Sequence, residues 1–374
     1  MESNRAGAQR RRSWASSGSW LALVVTFMLL EGCSKTAGVG GVAGDATPTT
    51  LAANTAFAKA LPLDDSKDFE DAKRGLVAKP GGKILGADGA VLRDFDAYGF
   101  LAGKAADTVN PSLWRHAQLN ANFGLFKVME GVYQLRGFDI ANITLIEGKT
   151  VWIVVDTLTS RETATRAMAF ARQHLGDRKV SAVIFTHSHA DHFGGALGVI
   201  PAEEAAARQI PVVAPVGFME EATSENLLMG IAMGRRSMYM YGSRLERSAK
   251  GLVDDGLGKA VAYGSVGILA PNQIVSKTPQ EITIDGLRFV FQNVPGSEAP
   301  AELTFSIPEL KAFCGAEMVS HTMHNLYTLR GAKVRDAMKW AGYIDDAIGQ
   351  AADAEVYFGS HTGRCGAGSA SASS

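Results

Sequence analysis

The segment Thr186-His187-Ser188-His189-Ala190-Asp191-His192-Phe193-Gly194-Gly195 gathers three imidazoles and a carboxylate within six residues. It follows Val180 to Phe185, an apolar run of the kind that forms a strand buried on both faces. The carboxyl end of such a strand is where α/β sheets place their sites. His187 and His189 alternate along extended chain and so point the same way, while Asp191 and His192 follow on a loop or first helical turn and point to a neighbouring spot. One strand end can thus serve two adjacent metals. Neutral imidazole and carboxylate are zinc ligands, and three protein ligands with an open position form the catalytic pattern. The alternative, solvated loop histidines, requires three of the chain's eight histidines to fall together by accident. Gly194 and Gly195 are expected to let the backbone stay close to the metals.

The elements that must hold this segment read as a mixed α/β sheet. Gly131 to Phe138 and Ala141 to Glu147 are strands around a turn, and Thr150 to Val155 is another buried strand. Thr159 with Glu162 makes a capping box for a helix running to about Leu175 and ended by Gly176-Asp177. Asn110-Pro111 opens a short helix. A strand, helix and strand after locally paired strands exclude a bundle or an all-β sandwich. No internal repeat is present.

The H-x-H-x-D-H spacing after a hydrophobic strand resembles the metallo-β-lactamase superfamily. Asn110 to Trp114, Arg136-Gly137-Phe138-Asp139, Pro295 to Glu302 and His321 to Ala332 narrow the resemblance to the zinc-dependent alkylsulfatases, over about residues 97 to 361. It implies an α/β fold of the metallo-β-lactamase αββα sandwich type that hydrolyses alkyl sulfate esters to alcohol and inorganic sulfate. It also implies two zinc ions held by His187, His189, Asp191, His192, Glu298, Glu317 and His361. Glu302 is the alternative to Glu298, Glu317 has the alternative of a surface carboxylate, and the chain departs from the family after His361. Cys314 reads as a core residue.

From Met318 to Arg335 there is no acidic residue, while Arg330, Lys333, Arg335, His321 and His324 are all present. A sulfate monoester spreads one negative charge over three oxygens, which suits a guanidinium fork with amide and phenol donors beside it. In the resembling family this segment holds the sulfate, which points to Asn325, Tyr327 and Arg330, then Arg335; a solvated helix face is the alternative for the arginines and Lys333. His321 and His324 are equal candidates for the catalytic histidine that serves the leaving oxygen. The methionine-rich residues 218 to 241 read as core packing, with a channel for an alkyl chain as the alternative.

The 374 residues are 46% hydrophobic and 20% charged, within the globular range. Thirty-seven basic and 38 acidic side chains give a net charge of -1, so no nucleic-acid partner is indicated. Cys33, Cys314 and Cys365 are too far apart for a CxxC metal site. Residues 1–33 read as an export signal: Arg10, Arg11 and Arg12 precede the apolar stretch Trp20 to Leu30, which is too short to span a bilayer. Gly32-Cys33 resembles a lipoprotein acylation site, so the expected location is periplasmic or lipid-anchored through Cys33; the twin-arginine route and an ordinary secretory signal are the alternatives. Residues 34–96 are expected to be a flexible segment, 97–362 the catalytic domain and 363–374 a disordered tail. The resembling enzymes continue through a helical region that makes a homodimer and a sterol-carrier-like domain, so the chain is expected to be truncated, with the dimerisation region absent. A non-enzymatic remnant that binds metal and anions is one alternative function. Another is a hydrolase of the same fold acting on a lactone, thioester or β-lactam, against which the Arg330 segment argues.

Overall fold

The structure, a computed structural model, describes residues 44–363 and the backbone of 365–366. The export signal and Cys33 lie outside the described residues, as do residue 364 and residues 367–374 of the tail. Eight strands form a first sheet: β1 (Leu76–Ala78), β4 (Gly124–Met129), β5 (Val132–Arg136), β6 (Ile143–Glu147), β7 (Trp152–Val155), β8 (Val180–Ile184), β9 (Val212–Pro215) and β10 (Gln273–Val275), adjacent in that order. Pairing is antiparallel up to β7 and parallel from β7 to β10. The second sheet runs β11 (Gln280–Ile284), β12 (Leu287–Asn293), β13 (Leu303–Ile307), β14 (Ala312–Cys314), β15 (Val356–Phe358) and β16 (Cys365–Gly366). The strands β2 (Lys83–Leu85) and β3 (Val91–Asp94) make a separate hairpin.

Successive side chains of a strand face opposite ways, and the central strands divide accordingly. Ile153, Val155, Ala182 and Ile184 pack against Phe289, Phe291, Leu303, Phe305, Cys314 and Phe358 of the second sheet. Val154 and Val183 point the other way, onto Ala164, Ala167, Met168 and Ala171 of the helix Arg161–Leu175. The far face of the second sheet is covered by the helix Ala337–Gln350, where Ala347, Trp340 and Tyr343 meet Val294, Phe313 and Met318. Helix, sheet, sheet, helix is the αββα sandwich. Each phenylalanine sealed between the sheets contributes roughly 1.5–3 kcal/mol relative to exposure, and Cys314 belongs to that inter-sheet core.

Three local expectations change. The helix after β7 is capped by Ser160, whose Oγ accepts from Thr163 N at 3.3 Å, and Glu162 instead accepts from Ser265 N and Oγ at 2.9 and 2.7 Å. Residues 48–94, inside the segment expected to be flexible, carry the helices Pro48–Ala60 and Lys67–Lys73 and strands β1 to β3. The first of these helices has a Thr47 cap and Pro48 in its first turn, a start signal that the small-residue composition around it obscures. The methionine-rich stretch forms the helix Phe218–Thr223, a π-helical turn Ser224–Leu228 and the helix Gly230–Met240. Phe218 and Met233 are buried, but Leu227, Leu228, Met229, Ile231 and Tyr239 are exposed, so it is not simply core. No helix among the described residues is long and apolar enough to cross a membrane.

Candidate metal centre

Strand β8 ends at Ile184, and the chain then crosses towards the second sheet. Leu303 N donates to Thr186 O at 2.9 Å, Ser188 N donates to Ala301 O at 3.2 Å, and His187 forms a bridge with Glu302. His187 and His189 are carried on this extended piece, and Asp191 and His192 on the helical turn Ala190–Phe193. The two glycines that follow lie against the loop after β7: a Cβ on Gly194 would meet Thr159 O at 2.2 Å, and one on Gly195 would meet Thr157 O at 2.1 Å. Their small size lets the histidine turn pack on that loop.

The donor side chains form two adjacent groups. His187, His189, Glu298 and Glu317 make one, and Asp191, His192 and His361 the other, with the ligand atoms of each group within 4.8 Å of one another. Glu317 stands between them, its Oε2 lying 3.3, 3.4 and 3.0 Å from the Nε2 atoms of His187, His192 and His361. All seven side chains named from the sequence thus come together, drawn from the ends of β8, β12, β14 and β15. His187 Nε2 and Glu298 Oε2 are buried without a hydrogen-bond partner among the described residues. Native interiors rarely leave such atoms unpaired, and a cation shared by imidazole and carboxylate satisfies both, so the donor set fits a metal.

The protonation balance agrees with that use. Burial pushes His187 down, and burial with the Arg330 guanidinium pushes His189 down to about 4, leaving both rings neutral. Against the opposing effect of burial, His192 and His361 hold Asp191 low, and His361 and His187 hold Glu317 well below the usual carboxylate range. His192 and His361 are raised despite burial because Asp191 and Asp156 face the one and Glu317 the other. Ionised carboxylates lie ready, and a cation replacing the ring protons would keep the charge balanced.

The outer nitrogens are fixed by other groups. His192 Nδ1 donates to Asp156 Oδ2 at 2.9 Å, and the same carboxylate accepts from Thr186 N and Ser360 Oγ, each at 2.8 Å. His361 Nδ1 donates to Ile140 O at 3.0 Å, and His187 Nδ1 pairs with Thr186 Oγ1 at 2.9 Å. Such partners set ring orientation and ligand basicity. Glu302, the alternative ligand, is instead the organiser of the ligand loops. Its Oε2 accepts from Ser297 Oγ and the backbone N of Glu298 and Ala299 at 2.7, 2.9 and 3.1 Å, and its Oε1 accepts from Glu317 N at 3.2 Å.

A cavity of about 440 Å³ opens onto Glu298 and Glu317 and is lined further by His324, Asn325, Arg330 and Tyr241. Arg330 Nη2 lies 3.2 Å from His189 Nε2, and its Nη1 reaches Tyr241 Oη at 3.4 Å and Thr328 Oγ1 at 3.3 Å. His324 and His321 now separate. His324 is buried, lines the cavity and leaves Nε2 without a hydrogen-bond partner among the described residues, while its Nδ1 donates to Asn325 O at 3.1 Å. His321 pairs with Gly363 O at 3.1 Å and lines a neighbouring cavity. Tyr327 is 60% exposed and does not line the cavity, so the phenol beside Arg330 is Tyr241. Arg335 reaches the cavity wall, but its guanidinium is engaged by Glu298 and Asn325.

A family model described as the metallo-β-lactamase superfamily matches residues 136–361. The chain belongs to that superfamily. Among curated proteins, it is 48% identical over 322 residues to the alkyl/aryl-sulfatase BDS1 of Saccharomyces cerevisiae, covering 86% of this chain and 49% of that one. It is 47% identical over 305 residues to an (R)-specific secondary-alkylsulfatase of Pseudomonas sp., covering 81% and 46%. The solved structure of the stereoselective inverting sec-alkylsulfatase Pisa1 from Pseudomonas sp. matches with a TM-score of 0.83 at 44% identity, over 87% of this chain and 52% of that one. The chain spans about half the length of the curated relatives it matches.

Within this metallo-β-lactamase superfamily site, Asp156 and Tyr241 went unassigned as functional groups in the sequence, and Glu302 entered only as an alternative metal ligand. Asp156 had a signal: it is the acidic residue closing the apolar strand Trp152–Val155, next to β8 in the sheet. Tyr241 had none, because its place beside Arg330 is tertiary. The arrangement offers a metal-binding floor, a cation for an anionic substituent and a histidine nitrogen facing the same cavity.

Proposed function

We propose that this chain hydrolyses alkyl sulfate esters to alcohol and inorganic sulfate, with two zinc ions held by His187, His189, Glu298 and Glu317 on one side and Asp191, His192 and His361 on the other. The observation that carries the reading is the Arg330 guanidinium, 3.2 Å from a histidine of the donor set and in one cavity with His324. The alkylsulfatase names of the relatives support the same substrate class. When bound, the zinc ions would stabilise negative charge developing on oxygen and lower the pKa of a water.

The chain's own residues do the rest. Arg330, backed by Tyr241 and Thr328, orients the sulfate through charge-assisted hydrogen bonds. Arg335 holds Asn325, its Nη1 donating to the amide oxygen at 2.7 Å, which leaves the amide NH2 to donate to a sulfate oxygen. His324 Nδ1 is the protonated nitrogen, because a carbonyl accepts its hydrogen bond. Burial lowers the pKa of His324, so its Nε2 presents a lone pair to the cavity near neutral pH. It takes the proton that the attacking water loses and passes it to the departing oxygen. Residues 1–33 are part of the proposal as an export signal, ending either in an acylated Cys33 or in ordinary secretory cleavage; mass spectrometry of the exported N-terminus distinguishes the two.

The deciding experiment is sulfate release from dodecyl sulfate by the zinc-supplied chain, with His189→Ala as control. Zinc-dependent release that the control lacks is expected. A folded, zinc-loaded chain that releases no sulfate from any alkyl ester refutes the reading.

A further inference from the structure

Glu225 sits on the π-helical turn Ser224–Leu228, a geometry met frequently at functional sites, and no step above uses it. Its side chain is buried, Oε1 has no hydrogen-bond partner among the described residues, and Oε2 lies 3.5 Å from His189 Nε2. A buried carboxylate so poorly compensated is costly, and calls for a donor that arrives in some state of the protein.

The two nitrogens of His189 identify that donor. Nδ1 is 2.9 Å from Glu298 Oε2, inside the donor group, while Nε2 is 3.2 Å from Arg330 Nη2. A guanidinium only donates. With Arg330 on Nε2, the single proton of the neutral ring is therefore on Nδ1, on the side facing Glu298. A metal held through Nδ1 needs that lone pair, so the proton must reside on Nε2 instead. There it meets Arg330 as donor against donor. The acceptor within reach is Glu225 Oε2.

We infer that Glu225 is a positioning residue for His189, accepting the Nε2 proton when Nδ1 turns to a metal, and that this exchange frees Arg330 for the anionic group of the substrate. The inference rests on the metal reading above. It makes Arg330 and Glu225 alternative partners of one nitrogen, so filling the centre and arming the anion site become a single event.

The test is zinc affinity of the full chain by competition with a chromophoric chelator, which needs no turnover. Glu225→Ala is expected to weaken zinc binding by about 10- to 100-fold, the usual effect of removing such a partner. The isosteric Glu225→Gln, whose amide oxygen still accepts, should recover part of the loss and covers the case in which the alanine variant misfolds. In a His189→Ala background, Glu225→Ala should change zinc affinity by less than about twofold, because the partner it acts through is gone. Wild-type affinity in Glu225→Ala, or an equal loss with and without His189, overturns the inference. Long-range proton–nitrogen NMR of the zinc-loaded chain should show His189 protonated at Nε2; protonation at Nδ1 also overturns it. A chain that binds zinc as described but releases no sulfate leaves this inference standing and removes the sulfatase reading, whereas a wild-type chain that binds no zinc removes both.

Discussion

Replacing Arg335 by alanine should destabilise the protein more than it impairs substrate capture. Arg335 Nη2 pairs with Glu298 Oε1, with both side chains no more than 5% exposed. Its Nε donates to Glu298 O at 2.5 Å, and its Nη1 donates to Asn325 O and Oδ1 at 2.5 and 2.7 Å. Burial lowers the pKa of Arg335 to about 10, which still leaves it charged at neutral pH. Removing one member of a buried pair strands the other charge, at about 3–5 kcal/mol. For a domain of this size that corresponds to a fall in Tm on the order of 10 °C. Arg335→Lys should recover less than half of it, because an ammonium cannot span Glu298 and Asn325 as the planar fork does. Thermal unfolding of the metal-free chain, followed by circular dichroism, measures the change. An unaltered Tm in Arg335→Ala with a raised KM for alkyl sulfate would show the reasoning wrong and return Arg335 to the substrate.

Arg330→Ala should behave in the opposite way: a KM for dodecyl sulfate raised by roughly 10- to 100-fold, the value of a charge-assisted hydrogen bond, with Tm shifted by no more than about 2 °C; steady-state kinetics and a melt decide it. Asp156→Asn retains the shape but removes the carboxylate that His192, Thr186 and Ser360 share, and chelator competition should show zinc affinity weaker by about 10- to 100-fold. In the metal-free chain His189 should titrate by NMR at about pH 4, and Arg330→Ala should raise that midpoint because the guanidinium is the second cause of the shift after burial. The folded pKa lies below the unfolded value, so this group's stabilisation is complete above about pH 6.5 and is lost as pH falls towards 4. Between those limits acidification should cost wild type more stability than His189→Ala, as urea midpoints across the range would show.

The parts of the site written contiguously were legible. His187 to His192 announce a metal centre because four donors follow one buried strand, and the apolar runs ending at Val155 and Ile184 read directly as central strands. Glu298, Glu317 and His361 have no such local pattern, and only the resemblance to alkylsulfatases singled them out. Choices stayed open, or went unseen, where tertiary packing decides among equals. His321 and His324 are three residues apart with similar neighbours, yet one faces Gly363 and the other the cavity. Tyr327 and Tyr241 compete for Arg330, and the fold brings the distant one. Glu298 and Glu302 share a turn, and only the direction of their carboxylates separates ligand from organiser.

Glu302 ties the Glu298 turn to the Glu317 loop through backbone N–H groups, and sits directly across from His187. The entropy of ordering three chain segments is therefore lost during folding and not at ion capture. As the proposed metal site, the centre would be a preformed chelate whose bite is set before any ion arrives. Selection among ions would then turn on size. Zinc, satisfied by four ligands at about 2.0–2.3 Å, suits such a fixed bite, whereas calcium, which takes 6–8 oxygens at about 2.3–2.6 Å, would have to spread loops that one buried carboxylate holds together.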